Sequence, residues 1–140
     1  MAAHGYDIGA IELGEQLARI ARANLSPYPR VQVIHHAFET WNPAGLPPFD
    51  LVVSAQAFHW IEPDVGYPKI HSLLKKQGHL AVIYNLFEGG AGPVNEDLAQ
   101  AYRRHFPKKR ERDAANSLRA NVDRTIRMIK RCRLFQDPVI

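Results

Sequence analysis

Leu51-Val52-Val53 is a run of three apolar residues set between a Pro47-Pro48 break and the string Ser54-Ala55-Gln56-Ala57-Phe58-His59-Trp60. A strand with one solvated face alternates apolar with polar residues. A strand covered on both faces reads instead as a continuous apolar run. The run therefore predicts a strand of a parallel sheet, buried on both sides by helices. Ligands of open α/β sheets bind just beyond the carboxyl ends of the strands. Ser54 to Trp60 stand at that end, so one stretch supplies a central strand and a candidate site wall.

The rest of the chain alternates around this strand. Residues 6–13 read as a strand that ends in an acid and is broken by Gly14. Leu17, Ile20, Ala21 and Leu25 then recur at helical spacing, with Glu15, Arg19 and Arg22 outside the stripe, until Ser26-Pro27-Tyr28-Pro29 stops the helix. Val31-Gln32-Val33-Ile34 is a second strand, and residues 42–48 form a turn-rich loop. After the third strand, Glu62-Pro63-Asp64 opens a helix over 65–76. Lys75-Lys76-Gln77-Gly78 reads as its end, with cations in the last turn and glycine beyond. A fourth strand is expected over 79–85, a glycine-rich loop over 87–93, and helices over 95–106 and 116–132. Leu118, Val122, Ile126 and Ile129 give the last helix its stripe, and residues 135–140 end apolar, as a strand begins. Strands alternating with helices indicate an α/β class with a mostly parallel sheet. The length suits one domain over 1–140, with 94–133 as a basic helical region.

That basic region is where the charge lies. Residues 103–133 hold twelve Lys or Arg against three acids, while the rest of the chain holds six against eleven. Such a segment is either the solvated face of helices or a surface for nucleic acid. Only Tyr102 and Phe106 interleave with the cations, so nucleic acid is not the expected partner. No apolar run approaches the ~20 residues of a membrane helix, and residues 1–7 lack the basic start of a secretory signal. The single cysteine, Cys132, leaves no internal disulfide and fits a reducing compartment, so a cytoplasmic location is expected. Seven histidines occur without a His-Glu-x-x-His pattern, and no metal site is expected.

Four segments carry a specific likeness. They are Tyr6-Asp7-Ile8-Gly9-Ala10-Ile11-Glu12, His36-Ala37-Phe38-Glu39-Thr40-Trp41, Phe49 through Trp60, and Leu73-Leu74-Lys75-Lys76-Gln77-Gly78-His79-Leu80-Ala81-Val82. In this order they resemble the second strand, the exit of the third, the fourth strand with its exit, and the approach to the fifth in class I S-adenosylmethionine-dependent methyltransferases. The nearest likeness is to the trans-aconitate methyltransferase-like small-molecule group. The match covers roughly residues 5–90, the cofactor half of the domain. It implies a Rossmann-like sheet with flanking helices, S-adenosylmethionine as cofactor and methyl transfer to a small-molecule acceptor.

The resemblance also implies roles. Glu12 would accept hydrogen bonds from the ribose hydroxyls, with Leu13 beside it. Ala37 and Phe38 would bracket the adenine, with Glu39 or a backbone group at its amino edge. Phe38 and Trp41 are equally readable as core residues. His36 stands where the family often has an acid. Ser54, Ala55 and Gln56 would form a wall of the cofactor site. His59 and Trp60 would stand at its mouth, His59 as a base or acceptor-site residue and Trp60 shaping the pocket.

The family's first strand and its glycine-rich turn have no counterpart before Glu12. The chain is therefore expected to be a methyltransferase piece cut at both ends. Its cofactor affinity would be lowered, and a sheet edge would be left open to self-association. The alternatives are a non-catalytic remnant acting through protein association and a basic nucleic-acid-binding module.

Overall fold

The computed structural model describes residues 1–85, 93–105 and 112–139. The glycine-rich stretch, Phe106 and Ile140 lie outside the described residues. After a 3-10 turn at Ala2–His4, the order is β1 (Ile8–Glu12), α1 (Glu15–Leu25), β2 (Val31–His35), β3 (Phe49–Ala55), a 3-10 turn at Phe58–Trp60, α2 (Pro63–Leu73), β4 (Leu74–Ile83), α3 (Pro93–His105) and α4 (Arg112–Cys132). The strands form two parallel pairs, β1 with β2 and β3 with β4. This is the expected α/β class, an incomplete Rossmann-like sheet with flanking helices.

In the first pair, Ile8 to Glu12 lie opposite Val31 to His35 in register. Helix α1 crosses between them. Gly14 is its N-cap, Glu15 lies in its first turn and Arg22 in its last, each charge on the favourable end of the helix dipole. Arg22 Nε donates to Val33 O at 3.0 Å, and Arg30 clasps Asp7 to tie the strand starts together. Ala18 is the buried residue of this helix. Leu17 (60% exposed) and Ile20 stand open, which corrects the expected apolar stripe. The small Ala18 lets the helix sit close to the strands, and the longer side chains flank that contact.

The second pair carries the core. Phe58, Tyr67, Ile70 and Ile129 are its buried centre, and Val52, Leu80 and Val82 pack against it. Val52 and Leu80 are paired, as are Ser54 and Val82, so these side chains share the face that α2 and α4 cover. Leu51 and Val53 point the other way and are each 41% exposed. The expected burial of the Leu51-Val52-Val53 run on both faces is thus corrected: one face is covered among the described residues. Pro63 starts α2 at a position where its missing N–H costs nothing, and Asp64 complements the first turn.

The end of α2 differs from the sequence expectation. The helix stops at Leu73, and Lys75 to Gly78 belong to β4. Phe49 faces Leu74, whereas Leu51 faces His79, so these residues bulge out of register. A Cβ on Gly78 would lie 2.9 Å from Phe49 O and 3.1 Å from Leu74 Cβ. Gly78 serves this close strand approach and not a helix cap, while Lys75 Nζ donates to Asp50 Oδ1 at 2.7 Å.

Candidate cofactor site

A cavity of about 650 Å³ runs between the two strand pairs. Its walls come from the inner strands β1 and β3, from the segments leaving β2 and β3, and from Ile70 and Leu73 of α2, and no residue of β2 or β4 lines it. The Glu62 amide donates to Glu39 Oε1 at 3.2 Å. This contact joins the chain leaving β2 to the chain leaving β3, so the carboxyl ends of both pairs meet at one end of the cavity.

Glu12 closes β1 at that end and is half-buried. Its Oε1 accepts from the Gly14 amide at 2.7 Å, which fixes the carboxylate beside the amino end of α1. A Cβ on Gly14 would come to 3.2 Å from that oxygen. Leu13 is 71% exposed, and its carbonyl is 3.1 Å from His35 Nε2. Ala37 follows His36, whose amide donates to Glu12 O at 3.1 Å, and its own carbonyl accepts from the Trp41 amide at 2.9 Å. Of the residues expected at a cofactor, Glu12, Leu13, Ala37, Phe38, Ser54 and Ala55 line this one cavity.

Gln56 does not line it. The residue has a φ of 53°, its amide donates to Ile83 O at 2.9 Å, and Nε2 donates to Asn85 O at 3.4 Å. It ends the strand and ties it to the exit of β4. His59 and Trp60 part company. In a 3-10 turn successive side chains diverge by about 120°. Phe58 enters the core, Trp60 lines the cavity rim at 81% exposure, and His59 turns toward α4. The His59 ring lies 5.1 Å from that of Trp60 and 6.1 Å from that of Tyr84, and its buried Nδ1 has no hydrogen-bond partner among the described residues. Both Phe38 and Trp41 line the cavity; Trp41 is buried, and Phe38 packs against the core.

One residue that the sequence reading did not single out holds this end together. Lys69 Nζ donates to Phe38 O at 2.7 Å, to Glu39 O at 3.1 Å and to Trp41 O. It also lies 5.2 Å from the Phe38 ring centroid and 5.7 Å from that of Trp41. Burial lowers its pKa, and the Glu39 carboxylate opposes that shift. The available signal was its spacing. Lys69 falls among Gly66, Tyr67, Ile70 and Leu73, the buried residues of α2, where a cation needs buried acceptors.

Among the described residues no group of His, Cys, Asp and Glu has a metal-holding arrangement, and no helix is long and apolar enough to cross a membrane. No curated protein matches the chain. Residues 1–82, more than half of the sequence, match the family model described as "Methyltransferase domain", and the chain belongs to this family of class I S-adenosylmethionine-dependent methyltransferase domains.

Proposed function

We propose that this chain holds S-adenosylmethionine at the carboxyl end of β1 and directs its methyl group to a small-molecule acceptor of the trans-aconitate methyltransferase-like kind. Domains of the family bind that cofactor as methyl donor. One observation carries the placement: the Glu12 carboxylate, Ala37 and Ala55 face the same cavity. The residues suit the group. A carboxylate accepts from two neighbouring hydroxyls, small Ala37 leaves room for a flat base, and Phe38 offers an apolar surface. When bound, the cofactor supplies an electrophilic methyl group on a sulfonium. Glu12 then orients the ribose, Ala37 and Phe38 bracket the base, and Ser54 with Ala55 forms the opposite wall. Trp60 forms the rim past which the acceptor enters. The volume falls within the range of about 300–1,000 Å³ usual for small-molecule sites. His59 packs against α4 in this reading, because its ring leaves the cavity wall.

Calorimetric titration with S-adenosylhomocysteine tests the placement. Hydrogen bonds to a charged group contribute about 1.5–3 kcal/mol each. Loss of even one of them is therefore expected to weaken binding in Glu12→Ala by at least about 10-fold, and in Glu12→Gln by less. Equal affinity of wild type and Glu12→Ala would overturn it.

A further inference from the structure

We infer that the outer face of α4 is an electrostatic docking surface for the phosphate backbone of a nucleic-acid duplex. An α-helix turns by about 100° per residue. Thr125 and Ile129 are the buried residues of α4 and lie on one side of it. From 121 to 133 the exposed residues are Asp123, Arg124, Arg127, Lys130, Arg131 and Arg133. Arg124, Arg127, Lys130 and Arg131 fall within an arc of about 120°, centred opposite the buried side. The core fixes which way these cations point. Ile129 packs with Phe58, Tyr67 and Ile70, and Tyr67 OH donates to Thr125 O at 3.5 Å.

These cations are not neutralised within the chain. The ion pairs among the described residues join Arg30 to Asp7 and Lys75 to Asp50, and neither involves Arg124, Arg127, Lys130, Arg131 or Arg133. Asp123 is the one acid exposed from 121 to 133, against five cations. From Arg124 to Arg131 the helix rises by about 10 Å. One strand of a duplex presents a phosphate about every 3.4 Å along the axis. Laid along that axis, the ridge of Arg124, Arg127 and Arg131 meets about three phosphates. Guanidinium groups suit this contact, because their planar fork binds a phosphate bidentately.

The composition of the face selects the partner. Protein–protein interfaces are depleted of charge at their centre and carry aromatic or other apolar anchors there. No apolar residue is exposed from 121 to 133. A helix lying on a membrane buries its apolar side in lipid, and the apolar side of α4 is committed to the core through Ile129. Interfaces with duplexes are polar and strongly positive, as this face is. Aromatics interleaved with cations serve base stacking on single strands, so their scarcity in the basic region bears on single strands alone. None of these residues lines the cofactor cavity, so the surface is separate from that site.

Fluorescence anisotropy of labelled DNA and RNA duplexes of one sequence, titrated with the full chain at several KCl concentrations, tests this and shows which duplex binds more tightly. Each phosphate neutralised contributes about −0.9 to the slope of log K against log salt. Three to five contacts predict a slope between about −2.7 and −4.5. Arg127→Gln with Arg131→Gln should make the slope shallower by about 1.8, whereas Arg127→Lys with Arg131→Lys should keep it. Both positions are exposed, so neither pair of substitutions disturbs the core. No binding of either duplex at about 50 mM KCl would overturn the inference, as would an unchanged slope in the glutamine variant. Tighter binding to polyglutamate or to phosphatidylserine vesicles than to either duplex would also overturn it, giving the partner as an acidic protein or a membrane.

Discussion

Gly66 shows how tightly single residues set the wall of the cavity. A Cβ there would lie 2.2 Å from Ile61 Cγ2, and Ile61 lines the cavity. Gly66→Ala forces that side chain off its place and is expected to cost about 1–3 kcal/mol, as overpacked cores do. Urea unfolding checks this by a lowered midpoint at unchanged slope. Lys69→Met keeps most of the buried stem but leaves the carbonyls of Phe38, Glu39 and Trp41 without their cation. A stability loss of about 1–3 kcal/mol is expected from unsatisfied buried groups. S-adenosylhomocysteine affinity should fall as the Phe38 segment loosens, and Lys69→Arg should restore part of it. His59→Phe works in the opposite sense. It removes a buried Nδ1 with no partner among the described residues and keeps a ring near Tyr84, so unfolding stability should stay level or rise. A marked loss of stability would show that His59 Nδ1 has a partner in solution.

At the scale of elements, α2 is joined to α4 through Thr125. Tyr67 OH donates to Thr125 O at 3.5 Å, and Tyr84 OH lies 3.0 Å from Thr125 Oγ1. Burial raises the Tyr67 pKa from its ordinary 10.0 to about 12, with Tyr84 and Cys132 adding to the shift and Arg124 opposing it. A folded pKa above the unfolded one means that unfolding releases a proton between the two values. Stability is therefore whole below pH 10.0 and is lost as pH rises toward about 12. Denaturant midpoints measured across this window should fall for the wild type, with a shallower slope for Tyr67→Phe. The order of strands and helices was legible because each has its own apolar period, and the gathering of Glu12, Ala37 and Phe38 at one cavity followed from their places just after strand ends. Three features were not. The Lys75–Gly78 bulge imitates a helix end, since cations followed by glycine suit both. The partial exposure of Leu51 and Val53 depends on which elements cover the sheet, which a run of apolar residues does not specify. The turning away of His59 depends on the 3-10 geometry of three residues.

For the whole molecule, two parallel strand pairs flank one cavity, and the ends of β1, β2 and β3 converge on it. Phe58, Tyr67, Ile70 and Ile129 center the core on the second pair, while the first is held to it through the Lys69 and Glu39 contacts. Ligand binding at the shared end should therefore stabilise the chain by bridging the two pairs, with the gain rising with ligand concentration. The most direct measurement uses a chain with ¹³C-labelled alanine methyl groups, titrated with S-adenosylhomocysteine. Ala37 and Ala55 line the cavity, whereas Ala23 lies exposed on α1 and serves as the reference. The Ala37 and Ala55 methyl signals should shift together along one saturation curve, with Ala23 unmoved and the curve displaced to higher ligand in Glu12→Ala. Saturable shifts confined to alanines outside the cavity, or no shift at millimolar ligand, would contradict the assignment of this cavity as the cofactor site.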